Sequence, residues 1–192
     1  MLTLDQIKRA DAGAWFGSQF AGERVPTLAE SLDLIKGQAI TVLEIKDKMI
    51  AAAVVSVIHQ MQATDEVFVI SFHPSVLVEV RALDSRIPTG LLIGGGLNGV
   101  ARRYAIHCVH QMSEIGCSTL NVSHNMVTAE FAYQIRRRGV NLWTWTIDDS
   151  ERMRALIDFG VDGITSNYPE RFGAILSGLT QGPNEMSVLP AS

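Results

Sequence analysis

Six short apolar segments alternate with helical segments along most of this chain, and that alternation constrains its fold more than any other feature. Residues 40–46, 66–71, 90–93, 119–122, 141–147 and 163–166 read as strands. Residues 47–63, 74–83, 100–115, 129–138, 150–159 and 169–176 read as the helices that follow them. Within 47–63, the stripe is expected to run through Met49, Ala53, Val54, Val57, Ile58 and Met61. Apolar strands separated by helices indicate a parallel sheet with both faces covered. The short connections favour a (β/α) barrel over a doubly wound sheet. Gly94-Gly95-Gly96-Leu97-Asn98-Gly99 does not place its glycines in the G-x-G-x-x-G register of a phosphate cradle, and reads as a flexible loop.

Two helices precede the first strand. Thr3 with Gln6, and Thr27 with Glu30, have the spacing of capping boxes. The first helix should run to about Ala10 and the second to Lys36, with Gly37 just beyond its end. Between them, residues 14–26 are irregular and hold Trp15, Phe16 and Phe20. Residues 1–179 form one expected barrel domain, and 180–192, rich in Gly, Pro, Asn and Ser, should fray.

Composition narrows the function. With 192 residues, 47% hydrophobic and 19% charged, the chain suits a soluble domain with a sizeable core. A net charge of −4 and the lack of a basic patch argue against nucleic acid as a partner. Arg136-Arg137-Arg138 precedes Gly139 and reads as cations at a helix C-terminus rather than an anion site. Cys108 and Cys117 lack CxxC spacing, which makes a disulfide framework or a zinc site unexpected. No apolar run reaches the length of a membrane span, and the first residues lack a signal-peptide pattern, so a cytoplasmic location is expected.

The strand at 40–46 is chemically unusual because it ends with two charges. Side chains alternate along a strand, so Val42, Glu44 and Lys46 share one face while Leu43 and Ile45 share the other. A carboxylate and an ammonium at the end of a strand expected to be buried must pair or bind something. Barrel enzymes build their sites at the carboxyl ends of strands. There this chain places Glu44 and Lys46; Ser71, Phe72 and His73; His124 and Asn125; Trp143, Trp145, Asp148 and Asp149; and Ser166, Asn167 and Tyr168. That inventory suits a small anionic substrate with a metal ion. Asp148 and Asp149 read more simply as a helix cap, and Trp143 and Trp145 as packing residues on one face.

Several linked motifs in register carry a resemblance. They are Leu4 to Phe16, Phe20 to Leu28, Leu43-Glu44-Ile45-Lys46, Ser71-Phe72-His73-Pro74, Leu142 to Asp148, and Gly160 to Pro169. Over about residues 2–176 the chain resembles the glycerophosphodiester phosphodiesterases, which are TIM (β/α)8-type barrels that hydrolyse glycerophosphodiesters to glycerol 3-phosphate and an alcohol. The resemblance implies Glu44 as a ligand of a divalent cation, Mg2+ or Ca2+. It implies Lys46 at the phosphate or glycerol, Trp145 on the glycerol side, and Ser71 and Phe72 at the rim. A phosphoinositide-type phospholipase fits these motifs less well.

The departures shape the expectation as much as the matches. Family members carry His-Arg-Gly, Glu-Asn-Thr, a Glu-x-Asp pair and His-Asp, which supply the acid–base histidines and the remaining metal carboxylates. This sequence contains none of them. It corresponds to about the last six βα units, with the first two strands missing. Weak cation binding, no catalytic residue in this chain, inactivity alone, and self-association or a need for a complementing N-terminal segment follow as expectations. The alternative is a non-catalytic remnant that binds glycerophosphoryl ligands or a partner protein. His73 and His124 are not expected to replace the missing pair, and Asn167 stands where the family often has aspartate, which should weaken a hydrogen bond there.

Overall fold

The computed structural model describes residues 2–96 and 99–180. Residues 181–192 of the expected tail, and Leu97 and Asn98 of the glycine-rich loop, lie outside the described residues. Six strands, β1 (Thr41–Glu44), β2 (Val67–Ser71), β3 (Thr89–Ile93), β4 (Thr119–Ser123), β5 (Asn141–Trp145) and β6 (Gly163–Ile164), form one sheet in chain order. After the opening α1 (Leu4–Lys8) and α2 (Leu28–Ile35), each strand is followed by a helix. These are α3 (Ala51–Gln60), α4 (Pro74–Leu83), α5 (Ala101–Ile115), α6 (Ala129–Arg136), α7 (Ser150–Asp158) and α8 (Pro169–Thr180). This succession of βα units is of the (β/α)8-barrel type, as the alternation in the sequence implied. Among the described residues no helix is long and apolar enough to cross a membrane.

Contacts divide the chain into two compact units. The first comprises residues 1–69 and 79–88. Both capping boxes form there. Thr3 accepts from the Gln6 amide and Thr27 from the Glu30 amide, while the Gln6 and Glu30 side chains reach back to the cap backbones. Lys8 pairs with Glu30, and with the Thr27 amide this holds the Glu30 carboxyl down at about 2. The irregular stretch between these helices winds around Asp11, whose carboxylate accepts N–H bonds from Gly13, Ala14 and Gly22 at 2.8–2.9 Å. His59 and Arg86 converge on Asp84, and Arg86 above all holds that carboxyl well below the usual range.

Two expectations fail in this unit. The helix expected from residue 47 begins only at Ala51, because the Asp47 carboxylate accepts the Met49 N–H at 2.8 Å and turns the chain instead. The buried stripe of α3 is therefore Ala51, Val55 and Ile58, at i, i+4 and i+7, while Met49 is 88% exposed and Ala53 is exposed. The charged face of β1 is not buried either. Ile45 is 2% exposed, whereas Val42 is 49% exposed and Glu44 is also exposed. Alternation within a strand tells which residues share a face, but burial depends on what covers that face.

The second unit comprises residues 70–78 and those from 89 onward. Its strands pair in parallel with a continuous register: Leu92 opposite Asn121, Asn121 opposite Trp143, Ser123 opposite Trp145, and Trp143 opposite Gly163. One face presents Leu120, Val122 and Leu142, all fully buried with Phe131, Ile135, Met153 and Leu156. Gly116, in the left-handed region at φ 80°, ends α5 and returns its N–H to the Met112 carbonyl. The arginine run behaves as helix-terminal cations: Arg137 lies over the Tyr133 ring and Arg138 bonds the Gln134 side chain and carbonyl. Cys108 and Cys117 are both buried, and burial pushes the Cys108 thiol up to about 11.

Gly163 has a steric reason to be glycine. A Cβ there would lie 2.8–3.0 Å from Cδ1, Cγ and Nε1 of Trp143, the residue opposite it in the register. Gly163→Ala should lower stability by about 1–3 kcal/mol through overpacking, measured as a fall in the urea midpoint with unchanged slope. An unchanged midpoint would show that the indole moves aside freely.

Candidate active site

Glu44 and Lys46 lie in the first unit, at the carboxyl end of β1. Their charged groups face each other at 3.6 Å, and the Lys46 side chain is 79% exposed. At that separation the ammonium keeps its donors for another partner, and an exposed pair of this kind contributes little stability. Solvent, rather than compensation in a dry interior, accommodates the two charges.

Ser71, Phe72 and Trp145 lie in the second unit. Ser71 is fully buried and its hydroxyl accepts the His73 N–H at 3.1 Å, shaping the turn that carries Phe72 out of β2. Phe72 meets Trp145 edge to face, with centroids 5.6 Å apart and planes at 88°. Gly94, just past β3, lies under this pair: a Cβ there would be 3.5 Å from Phe72 and 3.8 Å from Trp145. Trp145 donates its indole N–H to the Asn121 carbonyl at 3.3 Å, which leans the ring across β4. The corner is thus aromatic on two sides. Asn121 and Ser123 share the Trp145 face by alternation and register, and both are buried. Inspection of strand ends alone missed these two, although Thr119-Leu120-Asn121-Val122-Ser123 alternates polar and apolar in a strand expected to be wholly apolar.

Asp148 and Asp149 separate in role. Asp149 caps α7 by accepting the Arg152 N–H at 2.7 Å. Asp148 instead accepts from the Asn167 side chain, the Asn167 N–H and the Ser166 hydroxyl at 2.9–3.0 Å, and these bonds hold its carboxyl below the usual range. Arg171 reaches the Asp148 carbonyl and stacks on the Tyr168 ring. Contrary to expectation, asparagine at 167 bonds this corner through both its backbone and its side chain. Facing the Asp148 carboxylate, the Asn167 side-chain amide donates one hydrogen bond where an ionised aspartate would repel.

Of the two histidines at strand ends, His73 donates its backbone N–H to Ser71. His124 lies below its usual pKa through burial first and the neighbouring Arg152 second, and its Nδ1 is buried without a partner. Arg152 bonds the carbonyls of His124 and Val127, locking that turn. Nor do the described residues gather three His, Cys, Asp or Glu side chains as a metal site. A hard divalent cation takes six or more oxygens, and Glu44 supplies one carboxylate beside an ammonium. Among the described residues no cation cage is formed.

Residues 1–171 match the glycerophosphoryl diester phosphodiesterase family. The chain belongs to that family. A glycerophosphodiester phosphodiesterase of Caldanaerobacter subterraneus subsp. tengcongensis is 32% identical over 174 residues, spanning 88% of this chain and 68% of that relative. One from Bacillus subtilis is 28% identical over 196 residues, spanning 92% and 65%. A solved Oleispira antarctica phosphodiesterase, in complex with the product sn-glycerol-3-phosphate, shares the fold with a TM-score of 0.80 at 24% identity, over 91% of this chain and 70% of that one. The alternation and the parallel register are thus those of a barrel of this family.

The Asp148 corner is open to a direct test. In the wild type its contribution is present above the ordinary aspartate pKa of about 4 and is lost as pH falls through the depressed folded value. Asn167→Asp would set a second carboxylate against the first and raise the pKa of the pair in the folded state. The variant should be less stable than wild type at pH 7 and should recover towards it near pH 5, read from urea midpoints at both. A deficit equal at the two pH values would mean that the carboxylates do not face each other.

Proposed function

We propose that this chain carries the substrate-holding part of a phosphodiesterase site for glycerophosphodiesters, whose metal-dependent hydrolysis yields sn-glycerol 3-phosphate and an alcohol. Family membership supports the reaction class. The observation that carries the reading to residues is the corner in which Phe72 and Trp145 meet edge to face, with buried polar groups on the same sheet face as Trp145. An apolar wall with few convergent polar groups suits a short polyol chain. Trp145 and Phe72 take the glycerol carbons, and Ser71 holds the turn that presents Phe72. Lys46 supplies a positive charge to a phosphate oxygen through its free donors. Glu44 is the residue that would face Mg2+ or Ca2+, and as a single carboxylate beside an ammonium it binds such an ion weakly.

Hydrolysis further requires a group to protonate the leaving alcohol and one to activate water. The sequence contains neither His-Arg-Gly nor His-Asp, and His73 and His124 do not stand in for them. The chain alone therefore binds its ligand without turning it over. The two ends of the sheet order, β1 and β6, favour self-association or pairing with a segment that supplies further strands.

Titration calorimetry with sn-glycerol 3-phosphate tests the binding half. Saturable binding is expected, weakened about tenfold in Lys46→Ala by loss of a charge-assisted hydrogen bond. No measurable heat from the wild type, or equal affinity in Lys46→Ala, would remove the assigned role of Lys46 and with it this reading of β1.

A further inference from the structure

β4 is buried along its whole length, yet three of its five residues are polar. Thr119, Asn121 and Ser123 alternate with Leu120 and Val122, so the three occupy one face. A strand inside a parallel sheet ordinarily reads as an apolar run. A buried side-chain amide is costly there unless its atoms are bonded. Asn121 is 2% exposed, and its Oδ1 has no hydrogen-bond partner. Its surroundings are those of the aromatic corner. The Asn121 carbonyl accepts the Trp145 indole N–H, Ser123 stands opposite Trp145 in the register, and Gly94 packs beneath the Phe72 and Trp145 rings.

We propose that Asn121 is a specificity-determining residue, its Oδ1 accepting a hydrogen bond from a hydroxyl of the glycerol moiety held against Trp145 and Phe72. The inference rests on the function proposed above and adds to it the group that reads the alcohol. The chemistry of Oδ1 selects the ligand atom. A side-chain carbonyl oxygen only accepts, so its partner must donate. An ionised phosphate offers acceptors alone, and a quaternary ammonium head group has no N–H. The glycerol hydroxyls are the donors that such a diester always brings. A site built to bond a hydroxyl rejects the analogue lacking it, because the buried acceptor is then left unpaired. Asn121 thus separates glycerol phosphates from simple alkyl phosphates, while the phosphate itself is held elsewhere.

The test compares sn-glycerol 3-phosphate with n-propyl phosphate, which keeps the phosphate and the three carbons but has no hydroxyl. Affinities are measured by calorimetry at pH 8 for the full chain and for Asn121→Ala. The wild type should prefer sn-glycerol 3-phosphate by about tenfold or more, and Asn121→Ala should bring the ratio close to one with propyl phosphate affinity unchanged. Retention of the wild-type preference in Asn121→Ala overturns the inference and leaves the proposed function standing. Failure of the wild type to bind either phosphate overturns both. If Asn121→Ala binds neither ligand, the wild-type side-chain amide resonance of Asn121 decides. A shift with sn-glycerol 3-phosphate and not with propyl phosphate supports the assignment, and no selective shift refutes it.

Discussion

The parallel register of β4 against β5 is the constraint on which the candidate site depends. Asn121 opposes Trp143 and Ser123 opposes Trp145, so two indoles and two polar side chains fall on one face. A slip of one residue would turn Asn121 and Ser123 to the face opposite the two indoles. The register is held at several points. The Thr144 hydroxyl donates to the Val122 carbonyl at 3.0 Å, the Trp145 indole donates to the Asn121 carbonyl, and Leu142 fills the apolar side with no exposure. Asp162 fastens the next strand in turn: its N–H bonds the Leu142 carbonyl while its carboxylate accepts the Leu142 N–H, both at 2.8 Å. Gly163 can then lie flat against Trp143. The Val161-Asp162-Gly163-Ile164 motif is thus a device for seating β6 on β5.

Much of this architecture was legible in the sequence because it is local. Capping boxes at Thr3 and Thr27, glycines closing α2 and α5, and the change of period between strand and helix act within a few residues, and the elements formed near where they point. The failures came where a competing or distant interaction decides. An Asx turn at Asp47 overrode a helical pattern. The face of β1 bearing Val42 and Glu44 is exposed, which no pattern inside the strand discloses. The fitness of Asn167 depends on Asp148, nineteen residues earlier in the chain, and not on what the family often carries at that position.

The same division applies to the site. Glu44, Lys46, Phe72 and Trp145 were visible because they stand at strand ends within recognisable motifs. The structure places the first two as an exposed ion pair in one unit, and the last two as an aromatic corner in the other. Asn121 and Ser123 were invisible to that approach because they lie within a strand, where polar residues usually signify nothing more than a turn nearby. Their burial, not their position in the sequence, marks them.

On the proposed reading, the chain holds a glycerophosphoryl ligand without a pair of its own to move protons across it. Holding and turnover are therefore separable, and one assay separates them: release of sn-glycerol 3-phosphate from glycerophosphocholine by the 192-residue chain with added Mg2+ or Ca2+. No release is expected from a preparation that binds sn-glycerol 3-phosphate. Turnover that disappears in Glu44→Ala would contradict this, because it would require an acid–base pair and a working cation site among residues that have been assigned neither.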